Sequence, residues 1–227
     1  MPYNRTQALA YARRYWDRTC TDGYIAGSFR SSHRRTPQDT GYALKVGADI
    51  RFGYDSTVGE TLTYSYPHRR RDGTVEYRTA VLPPGPVADC AHFISCCIGS
   101  PPGGTGGGLP LPQPTAPAYG ILGAETLLRH LLASGAGTRH GRERMDREAA
   151  RRHIGGLAPG DLIFYARTRT HGHSAIYLGT SGSSPVGNVA CHSYSRSDSP
   201  DFRRGDENND WDLLGNWSYT FVKMVGR

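Results

Sequence analysis

The sequence predicts an α+β fold built on a mainly antiparallel sheet, and three observations carry that reading. Helical spacing opens the chain, short apolar runs fill its last third, and a long Gly/Pro-rich stretch separates them. The 227 residues are enough for one substantial core, so residues 1–227 are read as a single domain. With 29 glycines and 15 prolines, the chain favours turns and long loops over a helical bundle.

The elements follow in order. Asn4 with Gln7 makes an N-cap and capping-box pair, and Ala8, Tyr11, Ala12 and Tyr15 then recur at helical spacing, predicting a helix from Arg5 to about Asp17. Between Tyr42 and Leu82, "YALKVGADIRFGY", "ETLTYSY" and "TVEYRTAVL" alternate in polarity, and "RDGT" is a hairpin turn signal. These strands form a β-rich insertion at about 21–87. "LPPGPVA" delays the next helix until Asp89, which is expected to cap a helix from Cys90 to Ile98 closed by Gly99. Residues 100–120, "SPPGGTGGGLPLPQPTAPAYG", are expected to be a surface loop. Two helices are predicted next, Ala124 to Ser134 and Arg142 to His153. Strands are then predicted at Gly160 to Ala166, His173 to Gly179, Asn188 to Tyr194 and Tyr219 to Val225.

Charge and cysteine content narrow the function classes. The formal charge is +7, with basic clusters at Phe29 to Thr36, Pro67 to Gly73 and Thr138 to His153. Such a balance favours a polyanionic partner, whether nucleic acid, anionic lipid or cell-wall polymer, and does not choose among them; solvated faces explain each run equally well. No apolar run reaches the roughly 18 residues needed to span a bilayer. The N-terminus passes directly into an amphipathic pattern with no leader-like segment, so the chain is expected to be cytoplasmic as synthesised. Five cysteines, an odd number, leave at least one thiol unpaired and do not form a disulfide framework.

The chemistry centres on "VADCAHFISCC". In the first turn of a helix, Cys90 would meet unpaired N–H groups and the helix dipole, which lower a thiol's pKa. The alternative is an ordinary buried cysteine. A thiolate nucleophile needs a base, and the base an orienting group. His173 begins one predicted strand and His192 lies near the end of the next, so antiparallel pairing would bring both to one edge of the sheet. Metal is not expected: no C-x-x-C pair occurs, and on one helix Cys90 and Cys97 share a face while Cys96 points elsewhere. No cofactor is implied, and the absence of a G-x-S-x-G elbow argues against a serine nucleophile.

"YNRTQALAYARRYW", "DCAHFISCCIG", "APGDLIFYA", "HSAIYLG" and "ACHSYSRSD" occur in that order over nearly the whole chain. Together they resemble the amidase-domain family of the papain-like superfamily, relatives of NlpC-type and CHAP-type cell-wall hydrolases. The resemblance implies a catalytic helix packed on the sheet, with Cys90 as nucleophile, His173 as general base and His192 as the group orienting its imidazole. His171 is a rival to His173, but the family pattern puts the base directly before the small residue of "HSAIYLG". The implied activity is amide hydrolysis through a thioester, with peptidoglycan stem peptide or its link to glycan as the leading substrate and the Arg clusters as contacts to an anionic wall. Reaching that wall would require a route other than a signal peptide. The alternatives are a cytosolic peptidase, deamidase or acyltransferase of the same fold, and a catalytically degenerate basic binding module.

Overall fold

A computed structural model describes residues 2–26, 43–55, 59–82, 89–112, 117–167, 169–180, 187–192 and 217–226. The basic cluster at 29–36, most of "LPPGPVA", and Ser193 and Tyr194 lie outside the described residues. Helix α1 (Arg5–Tyr15) begins where the sequence predicts, with Asn4 Oδ1 accepting the Gln7 N–H at 3.1 Å. Strands β1 (Tyr24–Ala26) and β2 (Ala43–Lys45) form one antiparallel pair. Strands β3 (Gly53–Asp55), β4 (Gly59–Arg69) and β5 (Val75–Leu82) form a second antiparallel sheet. Its β4–β5 turn falls at "RDGT", where Gly73 adopts φ +86°, a backbone angle that favours glycine.

Helix α2 (Cys90–Ile98) matches its predicted span, and every one of its residues is buried. Helix α3 (Ala124–Ala133) follows, then strand β6 (Gly137–Met145) and helix α4 (Arg147–Ile154). The rest is β7 (Leu162–Ala166), β8 (His173–Gly179), β9 (Asn188–Ala190) and β10 (Ser218–Met224). The main sheet has the order β6-β10-β7-β8-β9, and every neighbouring pair in it is antiparallel. The architecture is α+β.

Strand alternation divides the core in two. Leu162, Phe164, Ile176, Leu178, Ala190, Val222 and Met224 meet α1, α2 and α3 on one face. Ile163, Tyr165, Ala175, Tyr177, Val189, Tyr219 and Phe221 meet α4 on the other. A clamp then ties the start of α1 to this sheet. Tyr3 Oη donates to the Gly160 carbonyl at 2.8 Å, while Arg5 reaches the carbonyls of Pro159 and Met224 and pairs with the Asp161 carboxylate at 2.8 Å.

Two expectations are corrected. Residues 142–145, predicted as helix, belong to β6, and the helix starts only after Asp146, whose Oδ1 accepts the Ala149 N–H at 2.8 Å. Pairing with β10 outweighs the helical spacing of a polar stretch, because β6 is an edge strand on which charged residues face water. The Gly-rich segment after α2 is not a surface loop throughout, since Gly106, Gly107, Leu109 and Leu111 are buried. Its N–H groups at Gly107, Gly108 and Leu109 donate to the carbonyls of Cys97, Gly99 and Ile98. Side chains at Gly106 and Gly107 would collide with those carbonyls, so glycine lets this backbone cap the end of α2.

Asp161 is buried and accepts the N–H groups of Ala158 and Met224 besides pairing with Arg5. Asp161→Ala leaves the Ala158 and Met224 N–H groups unsatisfied and removes the ion pair of a half-buried Arg5, and the expected loss is roughly 2–4 kcal/mol. A lowered urea midpoint with an unchanged denaturant slope is the readout.

Candidate functional site

Helix α2 starts beside the first residues of β8, and that junction seats Cys90. Its sulfur lies 4.0 Å from the Gly172 carbonyl, and the Ser174 N–H favours its charged form. The thiol is nevertheless pushed upward: burial is the largest influence, and the neighbouring Asp89 carboxylate adds to it. The depressed thiolate expected from the helix start is therefore corrected, because desolvation outweighs the dipole and the local N–H groups.

Asp89 occupies the N-cap position with helical angles (φ −80°, ψ −2°), and its carboxylate makes no capping hydrogen bond. It turns inward and is fully buried. Oδ1 accepts the Ala26 N–H at 2.6 Å and His92 Nδ1–H at 2.9 Å, and Oδ2 accepts His192 Nδ1–H at 2.6 Å. His92 Nε2–H donates to Asp22 Oδ2 at 2.9 Å, and Asp22 also accepts the N–H groups of Tyr24 and Tyr119. His192 Nε2–H donates to the Tyr15 carbonyl at 2.6 Å. Two carboxylates and two imidazoliums thus alternate along one buried chain.

The ionisation of this chain follows from its contacts. Burial alone would raise the carboxyls and lower the imidazoles, yet the attraction between them prevails in each case. Asp22 and Asp89 are held below the usual carboxylate value, His92 well above the usual histidine value, and His192 above it.

The predicted site residues are brought to one region but not into one line. β8 and β9 are antiparallel neighbours, so His173 and His192 do fall at the same end of the sheet. His173 pairs across strands with Tyr165, and their rings lie 5.1 Å apart, on the face opposite Ser174. Both ring nitrogens of His192 are committed to Asp89 and Tyr15, and its ring stacks on Phe93. It anchors Asp89 in place of the expected contact to the His173 imidazole. His171 is likewise occupied, with Nδ1 on Glu125 at 2.7 Å and Nε2 on the Thr220 hydroxyl at 2.9 Å.

Sequence reasoning missed the partnership of Cys20 with α2. Cys20, Cys96 and His92 offer ligand atoms that all lie within 4.8 Å of one another, and all three residues are buried. The i,i+4 spacing of His92 and Cys96 marks a shared helix face, but nothing local points to Cys20. All five cysteines are free thiols.

Residues 2–222 match the family described as "Putative amidase domain", and the chain belongs to that family. A comparison with curated proteins found no match. Among the described residues, no helix is long and apolar enough to cross a membrane.

The buried chain of charges has a pH signature. Asp22 and Asp89 have depressed folded values, so their contribution is complete above the ordinary carboxylate pKa, about 4, and is lost as pH falls through the folded values. His92 and His192 have raised values, so theirs is complete below about 6.5 and is lost as pH rises. Cys20 is pulled down by its Cys96 hydrogen bond and by both imidazoliums despite its burial, and it opposes the alkaline loss. The acid limb is the cleaner readout. Urea unfolding at stepped pH should show wild-type stability falling below about pH 4, with a shallower fall in Asp89→Asn.

Proposed function

We propose that this chain is a cysteine amidase in which Cys90 is the nucleophile and His173 the general base and later general acid. The seat of Cys90 carries the reading. It opens α2 with its sulfur against the Gly172 carbonyl and beside the Ser174 N–H, the neighbours of His173, in a chain of an amidase family. The sulfur's contact with the Gly172 carbonyl, next to His173 in the chain, favours His173 as the base.

The thiol rests protonated, so His173 removes the proton as the sulfur attacks the amide carbonyl. The Ser174 and Ala91 N–H groups favour the negative sulfur once the proton has gone. Charge developing on the carbonyl oxygen is met by the Cys90 backbone N–H, one of the unpaired donors of the α2 start. The C–N bond breaks as His173 passes its proton to the departing amine, leaving a thioester. Water, deprotonated by His173, then releases the acid and restores the thiol.

His192 acts at one remove in this scheme. By holding Asp89, it fixes the first turn of α2 and hence the nucleophile. The proposed pair of a helix-borne cysteine and a strand-borne histidine is the papain-like pairing, and peptidoglycan is the proposed substrate class, cut in the stem peptide or at its link to glycan. The exposed Arg151 and Arg152 of α4 offer a basic face to an anionic wall polymer.

Purified muropeptides and a cytosolic peptide library, incubated with each variant and read by mass spectrometry, test the proposal. Cys90→Ala and His173→Ala should each abolish release of the amine product while circular dichroism stays unchanged. Turnover at the wild-type rate in either variant would sink the mechanism, and cleavage confined to the library would overturn the peptidoglycan assignment alone. His192→Ala should cost roughly 3–5 kcal/mol of stability, because it leaves the Asp89 charge undercompensated.

A further inference from the structure

His92 is the point at which α2 meets the segment that follows α1. Its ring is fully buried. Nδ1–H is fixed on Asp89 Oδ1 at 2.9 Å, so Nε2 is the nitrogen that faces the Cys20 side, 2.9 Å from Asp22 Oδ2 and 3.5 Å from Cys96 Sγ. Cys20 Sγ completes the group, within 4.8 Å of the other donor atoms.

We propose that Cys20, Cys96 and His92 form a site for a soft divalent cation, zinc above all, with metal binding at Nε2 replacing the His92 hydrogen bond to Asp22. The donor set is the first argument. Two thiolates and an imidazole suit zinc and disfavour the hard cations, which take oxygen. The spacing is the second. Around a tetrahedral zinc, sulfur and nitrogen ligands stand roughly 3.5 Å apart, as bond lengths of about 2.3 and 2.0 Å require, and the Cys96–His92 separation is 3.5 Å.

The surroundings supply a third argument. A ligating histidine commonly donates its other N–H to a carboxylate, which fixes the ring and strengthens the donor nitrogen, and Asp89 holds this position on His92. Full burial of all three residues keeps competing bulk water away from the three protein ligands. On binding, the metal–sulfur and metal–nitrogen bonds form while the protons carried by the thiols and by Nε2 pass to solvent, with no electron transferred. The ion would cross-link α2 to the segment after α1. This site is independent of the amidase reading and stands even if Cys90 proves inert.

The test uses the full chain, stripped with a chelator under reducing conditions and titrated with cobalt(II). The expected result is one equivalent per chain, with thiolate-to-cobalt charge-transfer absorption and tetrahedral d–d bands that zinc abolishes by displacement. Cys97→Ser should retain both signals, and Cys20→Ser and Cys96→Ser should each lose most of the charge-transfer intensity. A second measurement needs no variant: alkylation in mild urea, mapped by peptide mass spectrometry, should show zinc protecting Cys20 and Cys96 but not Cys90. Absence of stoichiometric binding, charge transfer that survives in the Cys20→Ser/Cys96→Ser double variant, protection of Cys90 instead, or a Cys20–Cys96 disulfide in the reduced preparation would each overturn the proposal.

Discussion

The carboxylate of Asp89 is shared by two imidazoliums and a backbone N–H, and the arrangement of the site depends on that sharing. A buried carboxylate is tolerated only when its lone pairs are filled and its charge is balanced. Here one side chain meets β1 through Ala26, its own helix through His92 and the end of β9 through His192. Three segments distant in sequence are thereby fixed around the residue that precedes Cys90. Neutralising any member leaves its neighbour charged and dry, so the chain of charges behaves as a unit.

The same carboxylate limits the neighbouring thiol. Placing a cysteine at a helix start usually favours its thiolate, but that benefit assumes some access to water or a nearby cation. Cys90 is buried, and the neighbouring Asp89 charge is negative. The imidazolium that could have offset it, His192, is spent on Asp89 and Tyr15. In the proposed mechanism, activation therefore falls to a base that moves the proton during attack.

Much of this was legible in the sequence because local signals and tertiary demands agreed. The span of α2 followed from Pro-rich residues before it and Gly99 after it, although Gly99 is required by the close approach of Tyr119 and not by a left-handed backbone. The strands of the last third were visible as apolar runs buried on both faces. What failed had a common cause. Strand β6 lies at the edge of the sheet and carries Arg, His and Glu, so its composition concealed its pairing. Asp89 was recognisable as a cap by position, but nothing local revealed that two histidines would compete for it. The approach of Cys20 to His92 depends on how the chain turns after α1, which no periodicity records.

The clamp of Tyr3 and Arg5 has a consequence for how the molecule is made. Arg5 bonds to Met224, 219 positions along the chain, and Tyr3 to Gly160, 157 positions along. During synthesis the first helix leaves the ribosome with its docking surface unmade, and it must wait until the last strand of the sheet has emerged. Its apolar face, with Tyr11 and Tyr15, is exposed for that interval. Docking of this helix on the sheet thus waits for a distant strand, and its premature burial elsewhere is the folding error to be avoided.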